Sequence, residues 1–330
     1  MSILISFVIG IFISPLIIKI VKKLKFKQNI YEYVENHKKK QGTPTMGGLI
    51  FIFAICLTCL CMLSYNFKLA IICLTAMLAF GFLGFLDDFI KIKCKRNLGL
   101  RAYQKIIGQV AISLILCVFC YTNDLVSKDI FLPFCTKTIN LGVFYVPFMV
   151  IVLIAITNSV NLTDGLDGLA GGTSFVYITT FSICLFIYIL KGNLNGLSIL
   201  KMQEWNSLLI VCGAVSGSLL AYLIHNSFPA LIFMGDTGSL ALGGIFGTLA
   251  IVTGQVLLIP ILGACFVASS VTVILQVLYY KLTKKRIFKM APFHHHLQLK
   301  GMHESKIVSI YIIISLIIGV LGILLTCVFV

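Results

Sequence analysis

An all-α, polytopic membrane protein is the fold class this sequence predicts, and three observations predict it. Of its 330 residues 59% are hydrophobic and only 11% carry charge, with a mean hydropathy of +1.05. A soluble domain of this length holds far more charge. The apolar residues come in runs that reach the roughly 20 residues a bilayer demands. The basic residues gather in alternate connections between those runs.

Taken in order, the runs give ten spans: Ser2–Ile18, Met46–Tyr65, Leu69–Leu86, Ile106–Tyr121, Leu141–Ser159, Leu169–Leu190, Trp205–Ile224, Gly238–Thr253, Val256–Tyr280 and Ile307–Val330. Each has to satisfy its own backbone in lipid, so each is expected to be a helix within one integral-membrane domain covering 1–330. The first run begins at Ile3 with no basic stretch before it and no small-residue cleavage site, which reads as a retained span rather than a signal peptide. Pro260 and Gly263 mark places where the long ninth span can bend. The connection Thr122–Asn140, with Pro133 and short apolar stretches, suits a small hairpin. In the eighth span Gly243, Gly244 and Gly247 suit close helix packing.

Charge sets the orientation. The first connection carries Lys19, Lys22, Lys23, Lys25, Lys27, Lys38, Lys39 and Lys40; the third carries Lys91, Lys93, Lys95, Arg96, Arg101 and Lys105. The ninth carries Lys281, Lys284, Lys285, Arg286, Lys289 and Lys300, whereas the other face holds only Lys68, Lys128, Lys137, Lys191 and Lys201. That asymmetry places the odd connections in the cytoplasm and both termini outside. The net charge of +15 is therefore one-sided. It fits anionic headgroups or a phosphate-rich substrate, and it does not fit nucleic acid, because no domain organises the charges into a groove.

The twelve cysteines are not a disulfide framework, since most lie within apolar runs where a thiol acts as a small hydrophobe. Cys56 and Cys59 have a redox or metal spacing, but they sit mid-span without His or acidic partners.

The polar residues that composition does not explain all fall on the cytoplasmic face. Asn161-Leu-Thr-Asp-Gly-Leu-Asp-Gly-Leu-Ala170 joins two spans and holds Asp164 and Asp167. A capped turn needs one such residue, and an ionisable group at the edge of a span is expensive to bury. Asp87 and Asp88 end the third span, Asp236 precedes the eighth, and Asn158 and Asn226 lie nearby. Five carboxylates on a basic surface suggest a site for a divalent cation and anionic oxygens. Mg²⁺ suits it, being held by one or two carboxylates, water and substrate phosphate. Asp236 starts a helix in a glycine-flanked turn, where it is either a metal ligand beside phosphate-binding N–H groups or an ordinary N-cap. Asp87 and Asp88, as neighbours, point about 100° apart on a helix and are expected to have different roles. Lys91 and Lys95, four apart, are either a phosphate clamp or solvated flank charges. His294, His295 and His296 lack cysteine partners, and adjacent residues do not readily present three imidazoles to one zinc.

Five stretches carry a resemblance: Lys40-Gln-Gly-Thr-Pro-Thr-Met-Gly-Gly48, Gly84-Phe-Leu-Asp-Asp-Phe89, the Asn161–Ala170 run, Phe233-Met-Gly-Asp-Thr-Gly-Ser239 and Pro292-Phe-His-His-His296. Together, and in this order along the chain, they resemble the polyprenyl-phosphate phosphoglycosyl transferases, and among them the muramoyl-pentapeptide branch. The resemblance implies transfer of phospho-MurNAc-pentapeptide from UDP-MurNAc-pentapeptide to undecaprenyl phosphate, giving lipid I and UMP. It further implies Mg²⁺ as cofactor, a homodimer, and a place in the bacterial inner (plasma) membrane. Asp236 then resembles the magnesium ligand, and Asp87 and Asp88 the catalytic pair near the lipid phosphate. Asn158, Asn161, Asp164, Asp167, Asn226, Phe233 and Gln276 resemble nucleotide or substrate contacts. Lys40, Thr45, Lys91 and Lys95 resemble polar groups lining the site, and His295 and His296 contacts specific to the peptide branch. The alternatives are a sister enzyme transferring GlcNAc-1-phosphate and, in another class, a secondary transporter of an anionic solute. The transporter reading requires ionisable midplane sites and related halves. The carboxylates gather at one face instead.

Overall fold

Backbone groups in hydrocarbon must pair within their own segment, and the apolar runs do so as helices. The computed structural model describes residues 1–23, 42–94, 99–133, 135, 137–194 and 198–329. In chain order its elements are α1 (Ser2–Lys23), α2 (Gly48–Met62), α3 (Lys68–Lys93), α4 (Ala102–Thr122), strands β1 (Asp129–Phe131) and β2 (Thr138–Asn140), α5 (Tyr145–Thr163), α6 (Leu169–Leu194), α7 (Ile199–Asn226), α8 (Gly235–Val252), α9 (Ile259–Leu262), α10 (Ala264–Thr283), α11 (Phe293–Gln298) and α12 (Glu304–Phe329). Among the described residues nine helices are long and apolar enough to cross a bilayer; α2, the remaining apolar helix, has 15 residues. The protein is an all-α polytopic membrane protein.

The helices do not stop where hydropathy does. α3 continues past Leu86 to Lys93, and α5 past Ser159 to Thr163. Helical hydrogen bonding is indifferent to side-chain polarity, so a helix carries its last, polar turn out of the apolar layer. Those turns hold Asp87, Asp88 and Lys91 on α3, and Asn161 on α5. The ninth span is broken rather than bent. A 3₁₀ turn at Val256–Leu258 and α9 precede Gly263, and α10 starts afresh after it.

Helix α8 is the axis of the molecule. Every residue from Thr237 to Val252 is buried. With no water to expel, helices in lipid associate by close packing, which small residues permit. A Cβ on Gly244 would stand 2.6 Å from the Phe80 ring of α3, and one on Gly247 would stand 2.8 Å from Leu153 and Ile156 of α5. The packing role expected of these glycines is the observed one. Nearer the end of α8, Gly238 lies against the backbone of Gly48, and Gly84 of α3 lies against the Asp236 carbonyl. Aromatic rings fill the opposite flank, with Tyr177 and Phe246 centroids 4.6 Å apart and Phe266 beside both.

At the far end of the bundle the expected hairpin forms. β1 and β2 pair antiparallel with Asp129 opposite Asn140, and the Phe131 N–H donates to the Gly254 carbonyl at 2.9 Å, docking the hairpin on the turn after α8.

The Gly84 contact is backbone against backbone and leaves no side chain to move aside. Gly84→Ala is expected to lower thermal stability in detergent by about 1–3 kcal/mol through overpacking. Gly108→Ala, whose new Cβ meets only the movable tip of Leu83, is the control. Equal melting of the two variants would contradict the close approach of α3 to α8.

Candidate active site

The polar ends of α3, α4, α5 and α8 converge on one point. α8 begins with N–H groups that its own N-cap, Met234, has no side chain to satisfy. Other helices satisfy them. One oxygen of Asp88 accepts from the Asp236 N–H at 3.2 Å; the other accepts from the Thr237 N–H at 2.9 Å and the Thr237 hydroxyl at 2.7 Å. Asp164, on the α5–α6 turn, lies close enough to the Gly235 N–H to feel its pull. The start of α8 thus binds a carboxylate of the protein itself. The expectation that these N–H groups are open to a phosphate does not hold for Asp236 and Thr237, because Asp88 occupies them.

Asp87, one residue away, points elsewhere. Its Oδ1 accepts from the Leu100 N–H at 2.7 Å and its Oδ2 lies 2.5 Å from Lys91 Nζ. Different surroundings for the two neighbours are what the helical geometry requires. Asp236 receives Lys91 at 2.8 Å and Lys105 at 3.1 Å on Oδ2, and the Asn161 amide at 2.7 Å on Oδ1. Asn161 also donates to Ser239 Oγ at 2.8 Å. Carboxylate oxygens of Asp87, Asp88 and Asp236 lie within 4.8 Å of one another. Three acids share two ammonium groups, and all three offer oxygen, the donor a hard divalent cation requires. The donor set fits Mg²⁺. Asp87 accepts from two partners against three each for Asp88 and Asp236, so it has the most unused acceptor capacity of the three.

Two residues of this centre belong to no motif in the sequence. Lys105 reads as one of the orientation charges, and Gln109 as a lone polar residue within an apolar span. They stand four apart on α4 and face Asn161 and Asn158, three apart on α5. Lys105 reaches Asn161 Oδ1 at 3.3 Å, while Gln109 and Asn158 exchange amide hydrogen bonds of 2.8 and 3.3 Å. The signal was the matched helical spacing of polar residues on consecutive spans.

The remaining expected residues divide by what holds them. Thr45 is buried beside Gly235, and Phe233 is half-buried, its backbone paired with Pro44 and Gly47. Several other side chains brace loops. Asn226 accepts from the Gly168 N–H and donates to the Ile232 carbonyl, and Asp167 accepts from the Ala230 N–H. Gln276 accepts from the Ile287 and Phe288 N–H groups. His296 Nδ1 accepts from the Lys289 N–H, and His295 Nδ1 meets Gln298 at 3.2 Å. Lys40 and Lys95 lie outside the described residues. His294 is fully buried against Gly165, next to His295. Burial, and then His295, hold its imidazole well below the usual range, so it is neutral. Among the described residues the histidines form no metal-ligating group with Cys, Asp or Glu.

Burial, followed by the Asp236, Asp88 and Asp167 carboxylates, pushes the Asp164 carboxyl up to about 8, against the pull of the Gly235 N–H. The folded chain then holds a proton that the unfolded chain releases near about pH 4. Stability therefore falls as pH rises from about 4 to about 8, and the loss is complete above that. Asp164→Asn keeps an acceptor for Gly235 without the titration. Thermal melting in EDTA is expected to show the variant gaining on the wild type across this range. Parallel pH profiles would contradict the shift.

Residues 69–254 match the model of glycosyl transferase family 4, and residues 40–52 match signature 1 of phospho-N-acetylmuramoyl-pentapeptide-transferase. The phospho-N-acetylmuramoyl-pentapeptide-transferase of Clostridium novyi (strain NT) is 45% identical over 327 residues, covering 98% of this chain and 95% of that protein. Its counterpart in Clostridium kluyveri (strain NBRC 12016) is 44% identical, covering 98% of each chain. That of Clostridioides difficile (strain 630) is 43% identical, covering 97% of this chain and 95% of that protein. With likeness of this extent, the chain belongs to the phospho-N-acetylmuramoyl-pentapeptide-transferases of glycosyl transferase family 4.

Proposed function

We propose that the chain transfers phospho-MurNAc-pentapeptide from UDP-MurNAc-pentapeptide to undecaprenyl phosphate, releasing UMP and forming lipid I. It works as a homodimer at the cytoplasmic face of the bacterial plasma membrane, with Mg²⁺. The observation that carries this reading is the gathering of Asp87, Asp88 and Asp236 with Lys91 and Lys105 at one end of the spans. There a lipid phosphate arrives from the bilayer and a nucleotide from water.

The attacking oxygen belongs to a phosphate whose second pKa is about 6, so most of it is ionised at neutral pH. Positioning and charge neutralisation then dominate the barrier, as in phosphoryl transfer generally. Lys91 and Lys105 supply positive charge beside the reacting phosphates. Asp236 is the residue that would hold Mg²⁺, which supplies charge neutralisation on phosphoryl oxygens when bound. A proton left on the attacking phosphate goes to Asp87, whose described hydrogen bonds leave the most unused acceptor sites of the three acids. Asp88 keeps the start of α8, and with it Asp236, in place. Asn158, Asn161, Thr45 and Phe233 line the approach, and the reaction runs by direct attack without a covalent enzyme intermediate. His295 and His296 mark the muramoyl-peptide side.

The test is UMP release from sealed inverted vesicles given UDP-MurNAc-pentapeptide outside, with undecaprenyl phosphate in the membrane and Mg²⁺. Wild-type protein is expected to form UMP and a lipid-linked product. Asp236→Asn is expected to need far more Mg²⁺, or to lose at least about 10²-fold in rate. Preference for UDP-GlcNAc would move the chain to the sister reaction. Activity confined to right-side-out vesicles would reverse the orientation.

A further inference from the structure

Glu304, like Glu204 and Asp167, is a buried acid outside the carboxylate centre. Glu304 opens α12 and is 6% exposed, in a stretch that otherwise carries Lys300, His303 and Lys306. Its Oε1 accepts a hydrogen bond from the Asp167 backbone N–H at 2.6 Å, across 137 residues of sequence. A carboxylate accepting from a backbone N–H makes one of the stronger hydrogen bonds available to a protein. The amide it holds lies in the Asp164–Gly168 turn, between Asp164 and Gly168, whose N–H is taken by Asn226.

The turn meets the α11–α12 segment at three successive residues. Gly165 lies against the His294 and His295 rings, so closely that a side chain there would strike His294. Leu166 joins Leu169, Ile307 and Tyr311 in a small apolar cluster separate from the main core. Asp167 then offers its N–H to Glu304. The first contact carries the histidines, the second supplies packing, and the third is a charged hydrogen bond that fixes register.

We infer that Glu304 is a positioning residue. Its carboxylate latches the histidine-bearing segment to the acid turn, and thereby sets where His295 and Asp164 stand relative to the nucleotide-sugar substrate. The inference rests on the proposed reaction for its substrate, but not for its geometry. An acid at a helix N-terminus also favours its own helix dipole. That role involves α12 alone and makes no demand on the Asp167 amide.

Two measurements on the full-length protein in detergent test the latch. The first needs no activity: hydrogen exchange of the peptide covering 164–169. Glu304→Ala is expected to speed exchange there by about tenfold, the scale of losing a buried hydrogen bond, while α7 stays protected. Glu304→Gln, which keeps an acceptor oxygen, is expected to restore most of the protection. The second is steady-state kinetics. Glu304→Ala is expected to raise KM for UDP-MurNAc-pentapeptide about tenfold and to leave KM for undecaprenyl phosphate and the Mg²⁺ dependence near wild type. Unchanged exchange at 164–169, or Gln behaving as Ala does, would overturn the latch. So would an equal rise in both KM values. Wild-type protein without UMP release would refute the proposed reaction instead, and the exchange result would still decide the latch.

Discussion

The Asp88 carboxylate at the start of α8 is the contact on which the rest of the site depends. A helix buried from its third residue on needs partners for its first N–H groups, and none is available from its own N-cap. Asp88 on α3 accepts from two of these N–H groups, those of Asp236 and Thr237, and also from the Thr237 hydroxyl. The Asp88 carboxylate lies at the positive end of the helix dipole. One arrangement therefore stabilises the fold and delivers Asp236, the second residue of α8, to the middle of the polar cluster.

The glycines serve the same end. Asp88 reaches α8 because Gly84, one turn earlier on α3, lets the two backbones touch, and Gly48 and Gly238 do the same for α2. Their absent side chains set the distance, and the carboxylate fixes the rotation. Around that fixed point the charges nearly balance: Lys91 touches Asp87 and Asp236, and Lys105 touches Asp236 and Asn161. Among the described residues three acids face two cations, an electrostatic setting that suits a divalent cation and the phosphates it carries.

Much of this was legible in the sequence, and the illegible part has a common cause. Hydropathy located the spans, and the polar residues left over after placing them identified Asp87, Asp88, Asp164 and Asp236. Helical spacing separated Asp87 from Asp88. Periodicity reports which face a residue occupies and never which distant residue it meets, so the pairs Asp88–Thr237, Lys105–Asn161 and Glu304–Asp167 were invisible. For the same reason Asn226 and Gln276, read as substrate contacts, turned out to have amides that also hold loops in place. In the sequence Glu304, a single acid beside lysines, looks like ordinary surface charge. Only its burial and its 2.6 Å bond mark it out.

The central claim is that Asp88 acts on α8 rather than as a free base. A double-mutant cycle on Asp88→Asn and Thr237→Val tests it most directly, read as unfolding free energy in mixed micelles. Because the Asp88 and Thr237 side chains are 2.7 Å apart, a coupling of about 1–3 kcal/mol is predicted. Additive effects, with no coupling between the two positions, would contradict the account.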